Sequence, residues 1–82
     1  MKTLNDLIVD RLNYYMEERR YSQYQLANDS GVPYPTIKSI MQKRTKGITL
    51  KTVVMLARGL QVSVSEFLSD EFFKYDDLDL ER

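Results

Sequence analysis

The segment from residue 23 to residue 40 has a spacing of small and apolar side chains that few folds accommodate. The positions that define it are Gln23, Leu26, Ala27, Gly31, Val32, Ile37 and Ile40. This spacing predicts two short helices joined by a tight turn, with the apolar side chains of both helices facing one core. Gly31 lies at the turn, where a residue with a Cβ at positive φ would cost about 1–2 kcal/mol. Ala27 is small, which we interpret as allowing the two helices to cross closely.

Helical periodicity and capping residues predict an all-α fold, and 82 residues are enough for one such domain. The polar side chains that open each segment are of the kind that accept hydrogen bonds from free N–H groups of a first helical turn. The predicted helices are residues 3–20 with Thr3 and Asp6 as a capping box, 23–30 capped by Ser22, 34–43, one capped by Thr49, and one beginning at Ser63 or Ser65. Residues predicted to be buried in the last two are Leu50, Val53, Leu56, Ala57, Leu60, Val64, Phe67 and Leu68.

Charge is distributed unevenly along the chain, although the formal net charge is zero. Residues 1–65 contain ten basic and five acidic side chains, whereas residues 66–82 contain two basic and seven acidic ones. No acidic residue lies between Asp29 and Glu66, and the basic residues in that interval are Lys38, Lys43, Arg44, Lys46, Lys51 and Arg58. A surface of one charge sign around two short helices is suited to a phosphate backbone. The alternative is that the two helices only build the core and that these charges are ordinary solvated surface.

The absence of cysteine and histidine excludes several kinds of chemistry. Disulfides, thiolate nucleophiles and cysteine zinc sites need cysteine, and histidine is the commonest general base and metal ligand. We therefore expect no enzymatic activity, no bound metal and no cofactor. No apolar run approaches the roughly 18 residues that a membrane span needs. No signal-peptide pattern opens the chain, which fits a cytoplasmic protein without membrane contact.

Three short segments resemble the helix-turn-helix class of Cro and the phage repressors, also called the xenobiotic-response-element class. The segments are Ser22–Ala27, Ser30–Val32 and Thr36–Ile40, and the resemblance continues through Thr49–Thr52, Leu56–Leu60 and Val62–Phe67. In all, it covers roughly residues 5–69. It implies a compact five-helix bundle of the lambda-repressor-like DNA-binding type, in which the second and third helices form the helix-turn-helix.

The resemblance also implies which residues would contact double-stranded DNA. Base-reading residues on the outer face of the third helix would be Tyr34, Pro35, Lys38 and Ser39. Phosphate-binding residues would be Ser22, Gln23, Gln42, Lys43, Arg44, Lys46 and Gly47. The chain is thus predicted to be a sequence-specific transcriptional regulator, a repressor, acting as a homodimer on a palindromic operator. The alternative is an antitoxin or protein-binding adaptor that uses the same fold and contacts its partner through the C-terminal tail.

The end of the chain differs in composition from the rest. Residues 1–69 are predicted to form the DNA-binding domain, and residues 70–82 an acidic tail with interleaved aromatic residues. Candidates for the dimer interface near this boundary are Phe67, Leu68, Phe72 and Phe73, with closure of the monomer's own core as the alternative role of the first two. Three interpretations of the tail stay open: a frayed, solubilising end, a docking segment for a partner or the second subunit, and a phosphate mimic folded over the basic face.

Two methionines depart from the family pattern. Many relatives place an arginine and a glutamate at the positions of Met16 and Met41, where they form a partly buried ion pair. Replacing both partners of such a pair by apolar side chains can be neutral or stabilising, whereas removing one costs about 3–5 kcal/mol. We therefore predict that Met16 and Met41 contact each other in the core between the first and third helices. The alternative is that they are two independent core methionines.

Overall fold

The computed structural model describes residues 2–69, 74 and 78–80, which form five helices and one short strand pair. The elements in chain order are β1 (Lys2–Thr3), α1 (Leu4–Arg19), α2 (Gln23–Ser30), α3 (Tyr34–Met41), α4 (Leu50–Gly59), α5 (Val64–Phe67) and β2 (Leu78–Asp79). The helices pack around one core, so the predicted all-α architecture is confirmed. The strand pair is the part that the sequence analysis did not anticipate.

The predicted caps position the starts of the helices. The Thr3 hydroxyl accepts a hydrogen bond from the Asp6 N–H, and the Asp6 carboxylate accepts one from the Thr3 N–H, each at 3.1 Å. This capping box satisfies N–H groups that the first turn of α1 leaves free. Its hydrogen bonds from Thr3 also hold the pKa of Asp6 below its ordinary value. The hydroxyls that cap α2, α4 and α5 belong to Ser22, Thr49 and Ser63.

The two helices joined by a tight turn have the predicted arrangement. Gly31 follows α2 with a φ of 80°, a left-handed conformation that favours glycine. Val32 is buried directly after it. Ile37 and Ile40 are 0% and 2% exposed, and they attach the inner face of α3 to the core. Packing against the core therefore holds α3 in place through its inner face.

α3 is two residues shorter than predicted because a left-handed residue follows it. Lys43 has a φ of 59°, and its N–H bonds to the Ile40 carbonyl at 2.9 Å. The next N–H, that of Arg44, bonds to the Ser39 carbonyl at 2.9 Å. This pair of bonds is a Schellman closure, which usually uses glycine at the left-handed position. Non-glycine residues with positive φ also follow α1 and α4, namely Arg20 and Gln61.

The apolar face of α4 is buried as predicted, with one exception. Val53, Leu56 and Ala57 are at most 4% exposed, but Leu50 is 67% exposed, so its predicted burial is wrong. Leu50 is the first residue of α4 and lies at the rim of an apolar cleft of about 370 Å³, where the core ends. The other side chains that line this cleft are Leu4, Ile8, Ile48, Val53, Leu68, Leu78 and Leu80.

Phe67 is a core residue and not a dimer contact. Its side chain is 0% exposed, and its ring stacks on that of Tyr15 with centroids 6.2 Å apart. Of the two roles left open for Phe67, the structure supports closure of the core and contradicts a dimer contact, because packing within one chain leaves no part of it at the surface. Leu68 is half-buried against the same core. Phe72 and Phe73 lie outside the described residues.

The two methionines both pack at the hydrophobic core. Met16 of α1 is buried in the core, and Met41 at the end of α3 is half-buried against it. Their direct contact stays a prediction.

A short parallel strand pair joins the two ends of the described chain. Lys2 pairs with Leu78 and Thr3 with Asp79, which places β2 beside the start of α1. Leu78 is 8% exposed, so at this residue the tail packs against the domain instead of fraying. The boundary at residue 70 stays a prediction.

Leu78→Ala is expected to lower the free energy of unfolding by about 2 kcal/mol, since it removes a buried side chain and leaves a cavity. Leu80→Ala is the matched control. Leu80 lines the same cleft but is 56% exposed, so its truncation should cost less than about 0.5 kcal/mol. Urea denaturation of both variants measures the difference. Equal, small losses would mean that β2 is not held on the domain in solution.

Candidate nucleic-acid interface

The outer face of α3 carries the four side chains predicted to read bases. Pro35 and Lys38 are exposed, and Tyr34 and Ser39 are half-buried. All four belong to one helix of eight residues, whose inner face is anchored by Ile37 and Ile40. The structure therefore brings the predicted set together on one helix, whose orientation is fixed by its packing against the core.

Tyr24 lies beside the candidate site and was not identified from the sequence. Its ring stacks on that of Tyr34, with centroids 4.0 Å apart and planes inclined by 6°. Tyr24 is the second residue of α2 and Tyr34 the first residue of α3, so the stack connects the beginnings of the two helices. The available signal was a pair of tyrosines at the first or second position of the two expected helices.

The start of α2 combines capping with exposure. The Ser22 hydroxyl accepts a hydrogen bond from the Gln25 N–H at 3.1 Å, so this side chain is already used to cap the helix. Gln23 is half-buried as the first helical residue. Both residues lie at the N-terminal end of a helix dipole, which favours a nearby anion such as phosphate.

The loop between α3 and α4 is fixed by a side chain of α1. The Asn5 amide donates hydrogen bonds to the carbonyl oxygens of Thr45 at 2.7 Å and Lys46 at 2.9 Å. Two carbonyl groups are thereby held toward α1, and the Lys46 and Gly47 positions stay exposed. Asn5 is a second residue that the sequence analysis missed, since about forty positions separate it from its partners.

Basic residues after α3 differ in the partners they have. The Lys43 ammonium lies 3.3 Å from the Asp6 carboxylate, and the Arg44 guanidinium donates to the Gln42 side-chain oxygen. Both contacts are exposed, so solvent competes with them, and either cation remains available to an anion that binds it more tightly, such as a phosphate. Among the described residues, Lys38, Lys46 and Lys51 form no ion pair; the ion pairs found there belong to Lys2, Arg19 and Lys43.

Arg58 has a structural role instead. Its guanidinium donates to the Ser30 carbonyl at 2.8 Å, at the C-terminal end of α2. A cation at this end satisfies a free carbonyl group and complements the helix dipole. Arg58 therefore ties α4 to the helix-turn-helix, although it lies in the acid-free part of the sequence.

Comparison with known proteins agrees with this geometry. The family described as the Cro/C1-type HTH DNA-binding domain matches residues 11–72, which includes α2, the turn and α3. The chain belongs to the Cro/C1-type family. The Cro/C1-type chain is also 28% identical over 71 residues to the control protein C.SmaI of Serratia marcescens, covering 87% of this chain and 83% of that protein. No solved structure matches this chain significantly.

Family membership and fold together define the general function of the protein. This Cro/C1-type protein is a DNA-binding transcriptional regulator. None of the helices within the described part of the chain is long and apolar enough to cross a bilayer. In the same residues, 2–69, 74 and 78–80, no cluster of three or more aspartate or glutamate side chains is arranged to hold a metal ion.

Proposed function

We propose that this protein is a sequence-specific repressor that places the outer face of α3 in the major groove of double-stranded DNA. The observation that carries the proposal is the division of α3 into two faces. Ile37 and Ile40 are buried in the core, whereas Lys38 projects from the opposite side within the acid-free part of the chain. A rigid helix with a free polar face is the element that reads base edges in this class of motif.

Each proposed base-reading side chain has a chemical partner in the major groove. Lys38 donates to O6 or N7 of guanine, and the Ser39 hydroxyl bonds to several base edges. Pro35 offers apolar contact to a thymine methyl group. Tyr34 lies at the first position of α3, where it meets either a base edge or the adjacent phosphate.

Phosphate contacts would position the domain without reading sequence. The proposed set is Ser22, Gln23, Gln42, Lys43, Arg44, Lys46 and Gly47, which flank α3 at the start of α2 and in the loop before α4. The hydrogen bonds from Asn5 support this role, because they hold the loop in one conformation before DNA binds. If some six phosphates are neutralised, log affinity should fall with log salt concentration with a slope of roughly −5.

A homodimer on a palindromic operator would extend the short reading surface of α3. Four side chains distinguish few base pairs, and a two-fold dimer doubles the number read, with half-sites about one helical turn apart. Leu68, Phe72 and Phe73 stay candidates for the interface. Repression follows when such a dimer occupies promoter DNA. The similarity to a protein named a control protein is consistent with a regulatory role.

Selection from a pool of random DNA duplexes tests the proposal. The wild type should enrich a palindrome, and Lys38→Ala/Ser39→Ala should lose the enrichment, with binding to the selected duplex weakened by about 10- to 100-fold. Lys51→Ala removes the same charge from an exposed site on α4, so it should retain the wild-type sequence preference.

Absence of enrichment by the wild type, with weak binding even at low salt, would contradict sequence-specific regulation. That outcome would favour the antitoxin or adaptor alternative, in which the tail contacts a protein partner. The expected stoichiometry is two chains per palindrome, measured by sedimentation of the complex. One chain per operator would contradict the homodimer.

A further inference from the structure

We infer that Tyr24 is a positioning residue for DNA recognition, which acts by holding the ring of Tyr34 at the start of α3. The inference rests on the proposed function and deepens it, because it assigns a specificity role to a residue outside α3. Tyr24 lies on α2 and is absent from both the base-reading and the phosphate-binding sets above. Its only role in the inference is the stack with Tyr34.

The stack is not explained by the needs of the core. Tyr24 is 69% exposed, and neither tyrosine belongs to the buried cluster or to the side chains packed against it. The connection between α2 and α3 is already supplied by Leu26 and Ile37, both 0% exposed. Two large rings are therefore kept face to face at the surface, beside the residues proposed to read bases.

The geometry of the stack restricts the motion of Tyr34. Its planes are nearly parallel and its centroids 4.0 Å apart, so one face of the Tyr34 ring is covered by the Tyr24 ring. An uncovered tyrosine at a helix start would exchange between side-chain rotamers, and ordering it on binding costs free energy. The stack orders Tyr34 during folding, so that this cost is removed from the binding step.

Because of the position of Tyr34, ordering its ring should affect the sequence preference of the protein. Residues at the N-terminal end of a recognition helix are those that approach the base edges. Tyr34 is the first residue of α3 and precedes Pro35. A fixed Tyr34 ring would discriminate at one place in each half-site, whereas a mobile ring would tolerate several base pairs there.

Four variants test the inference on the selected duplex and on its single-base-pair substitutions: Tyr24→Ala, Tyr24→Phe, Tyr34→Ala and the double alanine variant. Tyr24→Ala should weaken binding by about 3- to 10-fold and flatten the preference at the position that Tyr34→Ala also flattens. Tyr24→Phe keeps the ring and should stay within about twofold of the wild type. The double variant should be no weaker than Tyr34→Ala, because Tyr24 acts only through Tyr34.

Tyr14→Ala is the matched control, since Tyr14 is 54% exposed on α1 and has no contact with Tyr34 among the described ring pairs. It should bind DNA as the wild type does. In the free protein, the Tyr34 ring-proton resonances should shift in Tyr24→Ala and not in Tyr14→Ala, because the ring current of Tyr24 is lost.

Three results would overturn the inference while leaving the proposed function intact. The first is an unchanged preference in Tyr24→Ala. The second is a Tyr24→Phe variant as weak as Tyr24→Ala, which would mean that the Tyr24 hydroxyl binds DNA itself. The third is a double variant that adds both losses. A wild type without any sequence preference would instead refute the proposed function, and the inference with it.

Discussion

Arg11→Met should lower the free energy of unfolding by about 3–5 kcal/mol, measured by urea denaturation. Arg11 is 5% exposed, yet it is the charged side chain that α1 directs at α5. Its Nε donates to the Phe67 carbonyl at 3.0 Å, and its Nη2 donates to the Glu66 carbonyl and the Tyr15 hydroxyl, each at 2.8 Å. Methionine has similar length but no donor, so these oxygens would lose their partner inside the protein.

The surroundings of Arg11 explain why the loss should be large. α5 has only four residues, and an isolated helix of that length is unstable in water. Arg11 binds the carbonyl groups at its end and lies 4.8 Å from the centre of the Tyr15 ring, where a cation is stabilised by the aromatic face. Burial, together with the nearby Glu66, raises the pKa of Tyr15, whose hydroxyl accepts a hydrogen bond from Arg11 and donates one to the Glu66 carboxylate.

Arg44→Met is the control for charge and side-chain length. Arg44 is exposed and its guanidinium contacts the Gln42 side chain, so this variant should change stability by less than about 0.5 kcal/mol. Similar stability of the two variants would contradict the structural role of Arg11. Near-ultraviolet circular dichroism should also report a changed environment of Tyr15 in Arg11→Met only.

Gly59→Ala is expected to cost about 3 kcal/mol, because no space exists for a methyl group. A Cβ at this position would lie 2.6 Å from the Ser30 Cβ and 2.8 Å from the Ser30 Cα and N. Two of these three atoms belong to the backbone of α2, so the clash cannot be relieved by rotating a side chain. α2 and α4 would have to separate, and the hydrogen bond from Arg58 to Ser30 would be strained as well.

Gly47→Ala supplies the matched control for the same chemical change. Apart from its two chain neighbours, no atom of the described residues lies within 4 Å of a Cβ built on Gly47, and its φ is not in the left-handed region. Alanine there should be neutral or stabilising by about 0.4–1 kcal/mol, since it restricts the unfolded chain. Thermal unfolding of the two variants side by side measures the difference. Equal melting temperatures would contradict the close crossing of α2 and α4.

The helix-turn-helix was predicted from the sequence because the residues that specify it lie close to one another along the chain. The bounds of α2 are those predicted, and Ser22 and Gly31 have the expected capping and turn conformations. Each of these features depends on residues within about four positions of one another, where hydrogen-bond geometry and steric exclusion act directly on the residue type. The end of α3 was predicted less well, since lysine in a left-handed conformation gives no sequence signal.

The candidate site was predicted in part for the same reason. Residues that share a face of α3 follow from its periodicity, so Tyr34, Pro35, Lys38 and Ser39 could be grouped before the fold was known. Their base-reading role came from the family resemblance and stays a prediction. The stack of Tyr24 on Tyr34 and the bonds from Asn5 could not be predicted, because they join residues of different elements. Phe67 was left with two possible roles, dimer contact and core closure, because composition alone does not distinguish a buried phenylalanine from an exposed one.

The sequence by itself determined which segments are helical, where they begin and which charges surround α3. Only the tertiary structure decided which of these residues meet. Arg11 finds its carbonyl partners 55 and 56 positions away, and Gly59 accommodates Ser30 from another helix. Such contacts depend on how the helices cross, and the crossing results from the close packing of the whole core rather than from any local pattern of residues.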